Sequence, residues 1–185
     1  MSVIVDNLLL SSISEMYNKV EIKNTKLHIN AQENKIYPEF NNIEIQINLN
    51  WNDKPTQNIN ENGILFHIIR LMDSYISEGK QVLVNCYAGV SRSATIVIAY
   101  LMYKNKMNLQ DALFFVRQKR PIINPNYGFV CQLYNLEEEL HKLDNISTYN
   151  SKTTEDVEKE VLSTYNKVSF IKEILKRENY LRDLV

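Results

Sequence analysis

Eight consecutive residues, Cys86-Tyr87-Ala88-Gly89-Val90-Ser91-Arg92-Ser93, set a thiol six positions ahead of a guanidinium. They lie between two apolar runs. Val82-Leu83-Val84 is short and bounded by turn formers, which reads as a buried strand. Residues 93–103, SATIVIAYLMY, read as a helix buried on most faces. A loop between a buried strand and a helix N-terminus gathers backbone N–H groups into one cup. The helix dipole adds positive potential there. Such a cup suits a phosphate dianion. Gly89 allows backbone angles that other residues resist. Arg92 brings a planar fork that matches two phosphate oxygens. Cys86 lies at the base, where the same positive field favours its thiolate. A thiolate beneath a bound phosphate is a nucleophile aimed at phosphorus.

Other elements must hold that loop. Residues 2–11 are apolar and end in Ser-Ser, which predicts a first strand and turn. A short strand is expected at Leu27–Ile29. Residues 43–49, IEIQINL, alternate apolar and polar, the period of a strand. From Gly63 to Ser77 apolar residues recur at helical spacing, and Gly79 ends that helix. Asn108 opens another helix that runs to about Lys119, before Pro121 and Pro125 break the chain. Residues 127–143 form a further helix. Interleaved strands and helices predict an α/β fold, a central mixed sheet flanked by helices. Residues 145–155 are polar and read as a linker. Beyond it Val157, Val161, Tyr165, Val168, Ile171 and Leu175 make one apolar stripe, an appended amphipathic helix over residues 155–180. The chain therefore divides into a catalytic domain, 1–144, and a linker with a C-terminal helix, 145–185. The stripe either docks on its own domain or pairs with a second chain. The second is favoured, giving a homodimer through the tail.

The chain has 185 residues and a mass of 21.7 kDa, which is one ordinary domain with a short appendage. Lys plus Arg total 21 against 22 Asp plus Glu, so a general nucleic-acid surface is not expected. No apolar run reaches the roughly 18 residues of a membrane span. The first residues lack the basic region and cleavage site of a signal peptide. Two cysteines, Cys86 and Cys131, make no disulfide framework, so a reducing, cytoplasmic setting is expected. The 23 Asn and 15 Lys against 6 Arg suggest an A/T-rich genome, viral or protozoan. For a viral chain the setting becomes host cytoplasm or virion.

The run VLVNCYAGVSRSATIVIAYLM resembles the signature of dual-specificity protein phosphatases, within the cysteine-based protein-tyrosine phosphatase superfamily. RPIINPNYGFVCQLYNLEEEL is similar to that family's R-P-x-x-x-P-N-x-G-F-x-x-Q-L segment. The resemblance spans about residues 43–142. It implies hydrolysis of phosphotyrosine and phosphoserine or phosphothreonine in proteins through a cysteinyl-phosphate, with no cofactor and no metal. Cys86 is then the nucleophile, and Tyr87, Ala88, Gly89, Val90, Ser91 and Arg92 bind phosphate. Ser93 would steady the Cys86 thiolate as it leaves.

The family also implies a general acid on a loop ahead of the cysteine strand. Asp53, in Trp51-Asn52-Asp53, lies 33 positions before Cys86 and resembles the superfamily's W-P-D loop. Asp73 is the rival, in a predicted helix. One departure stands out: Asn85 occupies the place where the family has His. The alternative function is therefore an impaired, phosphoprotein-binding pseudophosphatase.

Loop content separates related chemistries. YAGVS lacks the lysines of phosphoinositide phosphatases, and the domain is too small for a tyrosine-specific enzyme. Cys131 reads as a small buried hydrophobe. His28, His67 and His141 show no metal-ligand spacing. Tyr87 is a candidate for the pocket wall. Arg117, Lys119 and Arg120 form either a solvated face or a patch for acidic substrates.

Overall fold

In the computed structural model, residues 1–17, 20–33 and 42–144 are described. The strands are β1 (Ser2–Val5), β2 (Leu8–Ser12), β3 (Thr25–Asn30), β4 (Ile45–Asn48) and β5 (Gln81–Cys86). The α-helices are α1 (Ile13–Tyr17), α2 (Ile64–Ser77), α3 (Arg92–Asn105), α4 (Leu109–Lys119) and α5 (Tyr127–Asp144). They form a mixed five-stranded sheet in the order β1-β2-β5-β3-β4, flanked by helices. Among the described strands, only the β1–β2 pair is antiparallel.

Residues 2–11 were expected to give one strand, and they give a hairpin. Asn7 sits at φ 62, and this left-handed turn folds β2 back along β1. The apolar run hides the break because both strands carry hydrophobic residues. The helix ends follow local chemistry. After α2, Gly79 at φ 74 lets its N–H reach Ile76 O at 3.0 Å, and Lys80 N reaches Tyr75 O at 2.9 Å. That pair of hydrogen bonds stops the helix. Asn108 caps α4 by accepting from Asp111 N at 2.8 Å.

The core lies mainly on one side of the sheet. Leu8 and Leu10, Leu27 and Ile29, and Val82 and Val84 pack with Ile68, Leu71, Val97 and Phe129. Each such side chain contributes about 1.5–3 kcal/mol by leaving water. Leu9 and Leu83 face the other way and pack with Met16 and Ile22. β5 is paired on both edges, so its register is fixed: Ser12 lies beside Cys86 and Asn30 beside Asn85. This central strand therefore delivers Cys86 to one end of the sheet. The linker, the C-terminal helix and the tail-mediated dimer lie outside the described residues. Among the described residues, no helix is long and apolar enough to cross a membrane.

Candidate active site

Residues 87–91 leave β5 and turn directly into α3. The carbonyls of residues 87–90 are tied to other elements. Tyr87 O accepts from Ile13 N at 3.2 Å and Val90 O from Asn124 N at 2.9 Å. Arg120 donates to Gly89 O at 2.8 Å and to Ala88 O at 3.4 Å. In a trans peptide the N–H opposes the C=O. The N–H groups of Ala88, Gly89, Val90 and Ser91 are thereby turned to the inner side, at the positive end of α3. Gly89 has φ 65, and a Cβ there would lie 2.6 Å from Arg120 Nη2 and 2.8 Å from the Ser11 backbone. No other residue fits.

Cys86 is buried at the foot of this loop, and Ser93 Oγ donates to its Sγ at 3.1 Å. Arg92 directs Nη1 to Trp51 O at 3.0 Å. Its Nε is buried and makes no hydrogen bond among the described residues, leaving that N–H suited to an anionic oxygen.

Asp53 arrives from the loop after β4. Its Oδ1 accepts from Ser91 Oγ at 2.6 Å and from Asn126 Nδ2 at 2.8 Å. Its Oδ2 lies 3.8 Å from Arg92 Nε. The structure thus brings Cys86, Arg92, Ser93 and Asp53 into one place. Asp73 goes elsewhere, pairing with Lys104 at 2.7 Å on the α2–α3 side.

The first turns of α5 hold the Asp53 loop. Asn126 caps the helix by accepting from Phe129 N at 3.0 Å while its amide serves Asp53. At Gly128 a Cβ would run into the backbone of Pro55. Phe129 packs on buried Trp51 with ring centroids 6.2 Å apart. Gln132 donates to Gln57 O at 2.8 Å and accepts from Ile59 N at 2.9 Å. Sequence reasoning gave these residues no role, although the N-P-N-x-G-F-x-x-Q spelling was the available signal.

Two expectations are corrected. Cys131 is exposed, because Phe129, Leu133, Leu136 and Leu140 set the buried side of α5 and position 131 falls opposite. Arg120 is buried, unlike exposed Arg117 and Lys119, so the three are not one surface patch. Its fork meets Glu15 at 3.2 and 2.9 Å while it holds the loop carbonyls. Burial pushes the Glu15 carboxyl up, but hydrogen bonds from Arg120, the Met1 ammonium and Ser12 outweigh it and hold it well below the usual carboxylate range. Tyr87, read as a candidate for the pocket wall, is exposed and lines a cleft of about 400 Å³ with Ser12, Glu15, Arg120 and Ile122. No cluster of metal-ligating side chains occurs among the described residues.

Residues 8–139 match the family described as dual specificity phosphatase, catalytic domain. The chain is 33% identical over 139 residues to a Dictyostelium discoideum protein named "Probable rhodanese domain-containing dual specificity protein phosphatase". That match covers 75% of this chain and 29% of the relative. It is 33% identical over 149 residues to dual specificity protein phosphatase 1 of Arabidopsis thaliana, covering 80% of this chain and 74% of that one. Among solved structures, human tyrosine phosphatase-like serine/threonine/tyrosine-interacting protein is similar, with TM-score 0.64 and 34% identity. That likeness covers 75% of this chain and 96% of that one. Human DUSP28, at 24% identity and TM-score 0.66, shares the fold over 77% of this chain and 99% of its own.

Proposed function

The chain belongs to the dual specificity phosphatase family, and from that premise we propose that it hydrolyses phosphotyrosine and phosphoserine or phosphothreonine in proteins by way of a phosphocysteine. The observation that carries this reading is Asp53, which reaches Ser91 across 38 residues and so stands at the cup that Cys86 underlies. Cup N–H groups and the Arg92 fork bind the three terminal oxygens and compensate their charge. The Cys86 thiolate attacks phosphorus while the bond to the substrate oxygen breaks. Asp53 gives its proton to that departing oxygen. Water then attacks the phosphocysteine and loses a proton to the Asp53 carboxylate. Sγ departs as thiolate, steadied by the Ser93 hydroxyl at 3.1 Å.

A second reading, a phosphoprotein-binding module without turnover, is favoured by Asn85 and by identity to a relative named tyrosine phosphatase-like. One experiment separates the two. Wild type and Cys86→Ser are given a panel of phosphopeptides, and acid-quenched samples are examined for phosphate on Cys86. Turnover with a trapped phosphocysteine, lost in Cys86→Ser while peptide binding persists, supports the enzyme. Binding by both proteins without release of phosphate supports the module.

A further inference from the structure

Behind the nucleophile, on the reverse face of the sheet, is a buried polar group. Strand alternation puts Cys86 on the side of Val82 and Val84 and turns Asn85 to the side of Leu83. There Asn85 meets β3. His28 Nε2 lies 2.7 Å from Asn85 Oδ1, and both residues are fully buried. An amide oxygen only accepts, so Nε2 carries the hydrogen and donates it. That fixes the Asn85 amide one way round. Its Nδ2 then points to Asn30 Oδ1 at 3.4 Å, and Asn30 in turn donates to Asn48 Oδ1 at 3.0 Å. The backbone carbonyl of Asn85 accepts from Ala31 N at 2.8 Å. The residue directly before Cys86 is thus gripped by its backbone and its side chain.

The family pattern has an imidazole at position 85. This chain has an amide there and an imidazole on the next strand, in contact with that amide. We propose that His28 is a positioning residue for Cys86: acting through Asn85, it fixes the peptide that carries the thiol. The proposal rests on the reading of Cys86 as the nucleophile. Burial pulls His28 down to about 4, against the hydrogen bond with Asn85 that raises it. The imidazole is therefore neutral near pH 7 and supplies orientation, not charge. The charged groups near the thiol, Arg92 and Asp53, come from α3 and the loop after β4.

The test compares His28→Leu, which removes the donor, with His28→Gln, whose Nε2 can take the same place. Both are made in a Cys131→Ser background so that iodoacetamide reports Cys86 alone. In His28→Leu, Cys86 alkylation at pH 6 is expected to slow about fivefold and to stay within about twofold at pH 9. The kcat on an aryl phosphate should fall about tenfold with KM nearly unchanged, as for a misaimed reacting group. His28→Gln should recover most of both losses. A folded His28→Leu protein with wild-type alkylation and kcat would overturn the proposal. If that variant does not fold, ¹⁵N-histidine spectra of the wild type decide. A neutral ring protonated at Nε2 supports the bond to Asn85, and a proton on Nδ1 rejects it. Should the wild type release no phosphate from any ester, the phosphatase reading fails by itself, while alkylation still reports on His28.

Discussion

Asn126 Nδ2 donates to Asp53 Oδ1 at 2.8 Å, joining residues 73 positions apart. The oxygen of that amide accepts from Phe129 N and caps α5, so the side chain is held at both ends. Asp53 is aimed by that grip. Asn126→Ala is expected to lower kcat about tenfold on phosphoesters with poor leaving groups, within the range for a weakened general acid. With an activated aryl phosphate the loss should be smaller, since less protonation is needed. Steady-state kinetics across a leaving-group series checks this, and equal losses across the series would separate Asn126 from acid catalysis.

Gly128 lies against the Pro55 backbone, and a methyl group there meets main chain. Gly128→Ala is expected to cost about 1–3 kcal/mol, the usual range for overpacking. It should also lift the Asp53 loop from α5. Urea unfolding measures the first effect. The second should appear as a fall in kcat under conditions where the variant remains folded.

Arg120 links Glu15 to the carbonyls of Ala88 and Gly89. The Glu15 carboxyl lies below its ordinary value of 4.5 in the folded protein. Its contribution to stability is therefore complete above that value and is lost as pH falls through the lower folded value. Glu15→Gln should reduce stability at pH 7 and flatten the acid limb of the Tm–pH curve below about 4.5. It should also weaken binding of vanadate or phosphate, because the loop loses its outer support.

His28 titrates in a separate window. It lies at about 4 when folded against an ordinary 6.5, so the unfolded chain binds its proton first as pH falls. Stability from this group is full above pH 6.5, declines as pH drops to about 4, and changes no further below that. The shift corresponds to about 3 kcal/mol. His28→Gln should remove that slope from the stability profile between those two pH values while leaving the Glu15 limb below it.

Much of this was legible in the residues. Period-two alternation exposed β4, helical spacing exposed α2, and the Cys86–Ser93 spelling placed a loop between β5 and α3. The β1–β2 hairpin was not legible, since its turn rests on one left-handed asparagine inside an apolar run. Nor was the burial of Arg120, because its partners Glu15 and Gly89 are 105 and 31 residues away. Side-chain pairing over such separations leaves no local pattern. His28 and Asn85 were each visible as residues, but only the β3–β5 register makes them neighbours.

The contacts of α5 with the Asp53 loop also bear on timing. Asn126, Gly128, Phe129 and Gln132 lie within two turns of chain and touch Asp53, Pro55, Trp51, and Gln57 with Ile59. The loop cannot peel away one residue at a time without first leaving a buried ring or an amide unmatched. A loop tied at this many points to one helix is expected to hold or yield as a unit. Under the proposed phosphatase reading, any opening of this loop that admits water to the cup would require α5 to release several of these contacts together.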